Sequence, residues 1–114
     1  MAKFMILFSS DLKASDLMAN ATPEEMQASM QDWMDWKAEA DKSFKVEFGL
    51  PLQPVGRITP EGASDGDTKV SGYSTMEGES KESVIEVLKS HPHLKREGAY
   101  IDVLEMLSMP GIDS

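Results

Sequence analysis

The chain has 114 residues, the modal length of one domain, and is expected to fold as a single unit over residues 1–114. Eleven Lys plus Arg against twenty Asp plus Glu give a formal charge of −9, which argues against nucleic-acid backbones and anionic membrane surfaces as partners. No cysteine is present, so disulfides, thiolate metal sites and cysteine nucleophiles are excluded.

The first element is Phe4-Met5-Ile6-Leu7-Phe8, a continuous apolar run that closes on Ser9-Ser10-Asp11. It reads as a short central strand covered on both faces. It is far shorter than the roughly 20 residues of a spanning helix, and no small-residue cleavage site follows it, so a soluble cytoplasmic protein is expected. Thr22-Pro23-Glu24-Glu25 then supplies a capping hydroxyl, a proline at the first helical position and a glutamate placed to reach back to the cap. A helix is predicted from Pro23 to about Lys42. At about 100° per residue, Met26, Met30, Trp33, Ala40 and Phe44 share a narrow stripe with Met34 and Trp36 at its borders, and this face is expected to be buried.

Phe44 to Phe48 alternates with period two before Gly49, Pro51 and Pro54 interrupt it, which predicts an edge or bulged strand whose pairing is broken around Gly49 to Pro54. Thr59 to Asp67 is dense in Pro, Gly, Ser and Asp and reads as a solvated hairpin loop. Thr68 to Met76 alternates again, with Ser71, Tyr73 and Thr75 on one semi-polar face. A second helix enters at Glu79-Ser80 and is expected to end at Pro92. Tyr100 to Leu107 has strand composition. The order β-α-β-β-α-β with right-handed crossovers is the split βαβ arrangement, an α+β fold with two helices on one face of an antiparallel four-stranded sheet. The other face would be bare, so a homodimer packed sheet on sheet is expected.

Thr22-Pro23-Glu24-Glu25-Met26 with Trp33 and Trp36, then Gly49 before Leu50, then Gly72-Tyr73 and a helix ending in His91-Pro92-His93, resembles the YCII-related proteins over nearly the whole chain. The resemblance implies a ferredoxin-like protomer in a dimeric α+β barrel. Most members are uncharacterised, and the few enzymes among them resemble lyases such as a dehydrochlorinase acting on aromatic diols through a histidine and an aspartate. This chain departs from both catalytic patterns of the family. It has no histidine in its first half, and Ala63-Ser64-Asp65-Gly66-Asp67 stands where one branch carries Asp-Gly-Pro-Phe. Only His91, Pro92 and His93 match a motif with chemical meaning.

His91 and His93 are the only imidazoles, the side chains suited to proton transfer near neutrality. His91 is the candidate catalytic residue, although a histidine at a helix C-terminus also bonds free carbonyls with no catalytic duty. No HExxH, no cysteine and no carboxylate triad accompanies the pair, so neither a metal site nor a cofactor is expected. Lys37 lies inside the apolar stripe, where its stem covers apolar surface while its head snorkels, or where it meets an anionic ligand group. Trp36 at the stripe border, Tyr73 on the semi-polar strand face and His93 complete the candidate ligand-binding set. Nine methionines suggest a deformable apolar lining or simple gap-filling. Two readings stay open: a small-molecule-binding module with structural histidines, and a His-dependent lyase or isomerase acting on a small aromatic or enolisable substrate.

Overall fold

The computed structural model describes residues 1–11 and 19–111. The chain runs β1 (Ala2–Ser9), α1 (Pro23–Ala40), β2 (Lys45–Phe48), β3 (Arg57–Thr59), β4 (Gly62–Ser64), β5 (Val70–Gly78), α2 (Lys81–Leu88), a 3₁₀ turn (Pro92–Lys95) and β6 (Tyr100–Glu105). Among the described residues, two helices and an antiparallel four-stranded sheet of order β2-β5-β1-β6 make the fold mixed α+β. β3 and β4 form a separate small hairpin in the segment read as a hairpin loop. No helix among the described residues is long and apolar enough to cross a membrane.

The apolar run at the N-terminus lies at the centre of the sheet, paired to β5 on one side and β6 on the other. Alternation sends Phe4, Ile6 and Phe8 to one face. There they pack with Val46 and Met76 of the sheet and with Ala40, Val84 and Leu88 of the helices, forming the core. Complete burial of each such large side chain contributes roughly 1.5–3 kcal/mol. Met5 and Leu7, on the opposite face, are only half-buried. The run is therefore covered on one face by this chain's helices, which pack on the side of Phe4, Ile6 and Phe8.

The α1 N-terminus forms as its sequence predicts. Thr22 Oγ1 accepts the Glu25 N–H at 3.1 Å, and Glu25 Oε1 accepts the Thr22 N–H at 3.3 Å, a reciprocal capping box. The stripe it carries is not buried along its length. Only Ala40 is fully buried and Trp33 and Trp36 pack against the core, whereas Met26, Met30 and Met34 are 39%, 68% and 49% exposed. Regular strand ends at Phe48, and the irregular Gly49–Pro51 segment that follows does not fill the space beneath the methionines of α1. Pairing does not fail entirely after Phe48, since Gly49 N–H donates to Tyr73 O at 2.9 Å and Leu52 N–H to Ser71 O at 2.8 Å.

α2 is capped by Ser80, whose hydroxyl accepts the Ser83 N–H. It ends at Leu88 rather than at Pro92, and Pro92 instead opens the following 3₁₀ turn. A proline suits that position because a first-turn N–H has no partner inside the turn and the fixed φ is already helical.

Candidate functional site: a methionine-roofed cavity beside a buried histidine pair

A cavity of about 490 Å³ lies where α1 overhangs the end of β2, a volume ordinary for small-molecule sites. Met26, Met30, Trp33 and Met34 of α1 form its roof. Phe8 of β1, Phe48 of β2 and the Gly49–Pro51 segment close it below and to one side. Its polar border is short: Glu25 and Ser29 on α1, Ser71 at the start of β5, and His93 and Arg96 around the 3₁₀ turn.

The two histidines are buried, at 2% and 1% exposure, and occupy different positions relative to this cavity. His93 borders it. His91 stands behind the wall, with its ring 4.8 Å from Phe8, 4.4 Å from Trp33 and 4.5 Å from Trp36 between centroids. The Trp33 contact is edge-to-face at 89°, the arrangement that aromatic quadrupoles favour.

Hydrogen bonds fix the protonation of both rings. His91 Nδ1 accepts the backbone N–H of His93 at 3.0 Å, so His91 caps the 3₁₀ turn and its neutral form carries the proton on Nε2. That Nε2 has no nitrogen or oxygen partner among the described residues. A histidine at a helix C-terminus is expected to bond free carbonyls, whereas the His91 side chain accepts an amide proton at the start of the next turn. Burial, with the neighbouring His93 adding to it, pushes the His91 pKa down to about 3. His93 Nε2–H donates to Ser9 O at 2.8 Å. Its pKa is also lowered, first by burial and then by the positive charge of Arg96, against the opposing pull of the Ser9 and Tyr100 carbonyls. Both imidazoles are thus neutral at neutral pH.

The other anticipated residues are dispersed. Trp36 packs on His91 and its Nε1–H donates to Ser90 Oγ at 3.2 Å, which is away from the cavity border. Lys37 pairs with Asp41 at 2.6 Å, which holds its head at the C-terminal end of α1. Asp41 in turn accepts the Val46 N–H, so this ion pair ties α1 to β2. Tyr73 borders the cavity, but its register partner is Leu7, on the face opposite Phe8, and its ring lies over Gly49. Of the anticipated set, His93 and Tyr73 therefore meet at the cavity, while His91, Trp36 and Lys37 lie behind or beside it.

Sequence reasoning did not single out Met26, Met30, Phe48 or Arg96 for the site. The stripe of methionines read as core, and the available signal was the Gly49, Pro51 and Pro54 interruption that shortens the strand beneath it. Arg96 follows the His-Pro-His motif and carried no pattern of its own. Among the described residues no three His, Asp or Glu side chains converge as metal ligands. No protein-family model matches the chain, and no curated protein matches it in sequence.

Proposed function

We propose that this chain is a cytoplasmic, YCII-like small-molecule-binding protein, two copies of a ferredoxin-like protomer packed sheet to sheet, with the ligand held beneath α1. One observation carries the binding reading. Met26, Met30 and Met34 are held in water above a cavity of about 490 Å³ when a collapsed core would have enclosed them. Methionines in such a place form a deformable apolar surface, suited to flat or irregular apolar molecules. Trp33, Phe8 and Phe48 add aromatic faces, so the ligand class is a small, largely apolar or aromatic molecule.

The family and fold reading is supported by the strand order β2-β5-β1-β6, by the core contacts of both helices on one sheet face, and by Gly49-Leu50, Gly72-Tyr73 and His91-Pro92-His93. The sheet-to-sheet pairing is supported by the open face, where Met5 and Leu7 are half-buried and Tyr100 and Leu104 are 43% and 47% exposed.

Indole, a neutral aromatic molecule, tests the binding reading in protein carrying ¹³C-methyl methionine. Titration is expected to move the Met26, Met30 and Met34 methyl resonances together and to saturate, and Met30→Gln is expected to weaken binding while changing stability by less than about 0.5 kcal/mol. Unmoved methyls at several millimolar indole refute the reading.

A second reading, His-dependent proton transfer on an enolisable substrate, draws on His93, a neutral imidazole at the cavity border. In it His91 positions His93 through the Nδ1 bond to the His93 amide. Turnover lost in both His93→Gln and His91→Gln supports it, and turnover surviving both removes it.

A further inference from the structure

We propose that the ligand of the α1 cavity is an amphipathic monocarboxylate, its aryl or alkyl body against Met26, Met30, Trp33 and Phe48 and its carboxylate on the guanidinium of Arg96. The inference rests on the binding reading above and adds the polar end of the ligand.

Two charged side chains border the cavity, and they differ in how they are engaged. Glu25 is part of the α1 capping box, its Oε1 accepting the Thr22 N–H at 3.3 Å. Arg96 is exposed, and among the described residues it takes part in no ion pair within 4.0 Å. The other arginine, Arg57, holds Asp67 at 2.6 Å, and the adjacent Lys95 reaches Asp32 at 4.0 Å. The formal charge is −9, yet among the described residues no carboxylate pairs with this guanidinium at the edge of an apolar cavity. Its backbone is held in place, because Arg96 N–H donates to His93 O at 3.3 Å at the end of the 3₁₀ turn.

A guanidinium presents a planar fork of donors that matches a carboxylate bidentately. Beside an apolar wall such a contact is less screened than on open surface. The neutral His93 next to it brings no competing charge. Arg96 also disfavours the protonated form of His93, so neutralising it with a ligand carboxylate raises the proton affinity of that ring. The state of His93 therefore distinguishes a carboxylate at Arg96 from an apolar body that merely fills the cavity.

The test compares 1-naphthaleneacetate with the neutral 1-naphthaleneacetamide, which share one aromatic body, by methionine-methyl NMR and calorimetry at pH 7. The expected result is that the acetate binds the unsubstituted protein about five- to tenfold tighter than the amide. Arg96→Gln is expected to abolish that preference, and only the acetate is expected to raise the pH at which the His93 ring of the unsubstituted protein titrates. Equal affinities in the unsubstituted protein, or a preference that survives Arg96→Gln, overturn the carboxylate assignment and leave the cavity reading standing. Failure of both compounds to shift the Met26, Met30 and Met34 methyls overturns the two together. The methionine-methyl spectrum and urea midpoint of unliganded Arg96→Gln serve as the control that the variant is folded.

Discussion

His91 is a polar ring folded into an aromatic corner, and the acid limb of stability follows from it. Unfolded, it takes up a proton near its ordinary pKa of 6.5; folded, it resists until about pH 3. Above pH 6.5 both states are neutral and the ring imposes no penalty. Below pH 6.5 the unfolded chain gains a proton that the folded chain refuses, so stability falls by up to roughly 1.4 kcal/mol per pH unit for each such histidine, until the folded form protonates near pH 3. His93 is shifted the same way and adds to the slope. Urea midpoints are expected to be flat from pH 8 to 7 and to drop steadily from pH 6.5 to 4.5, and His91→Gln is expected to make that drop shallower. A midpoint independent of pH down to 4.5 would show that the rings are solvated. The histidine pair was legible as chemistry because His91-Pro92-His93 is a local motif. Which of the two rings meets the cavity was not, because that depends on Phe8 and Trp33 arriving from elsewhere in the chain.

At the scale of elements, α1 shows which signals are local and which are not. Thr22, Pro23 and Glu25 specify its start through contacts three residues apart, and the structure reproduces the capping box the sequence implies. Thr22→Ala is expected to cost about 1 kcal/mol in chemical denaturation, since the cap serves an orphan amide. The stripe periodicity marked which residues share a side of the helix, but burial needs an opposing surface. That surface changes where β2 ends, at residues outside the helix that no helical periodicity can report. Gly49 marks this end. The Tyr73 ring occupies the place where a Cβ on Gly49 would stand, so Gly49→Ala must displace the ring. A loss of about 1–3 kcal/mol is expected, together with altered shifts of the Tyr73 ring protons. An alanine variant as stable as the parent would mean the ring is not held there.

Across the whole molecule, one sheet face carries both helices and the other is open. Phe4, Ile6 and Phe8 face the helices, while Met5 and Leu7, with Leu104 and Tyr100 beside them on β6, form the open side. A stable interface buries about 800 Å² on each partner, an extent suited to a sheet face rather than to scattered side chains. Leu104 pairs with Met5 across the strands, so Leu104→Glu places a carboxylate on the open face without touching the core. Sedimentation velocity is expected to give a dimer for the parent and a monomer for this variant, and a parent that sediments as a monomer would remove the sheet-to-sheet pairing. The sheet's existence was legible from four short patterned segments. The small hairpin was legible only as a loop, since Arg57–Thr59 and Gly62–Ser64 are exposed throughout and carry no core-facing alternation.

The chain contains two tryptophans, and both stand against the same imidazole. Its intrinsic emission therefore arises from one corner of the molecule, where α1, the 3₁₀ turn and β1 meet. Protonation of that imidazole quenches indole light, and Trp33 also borders the cavity. Unlabelled protein thus carries its own optical gauge of acid unfolding and of ligand entry, with a Trp36→Phe variant leaving the Trp33 signal alone.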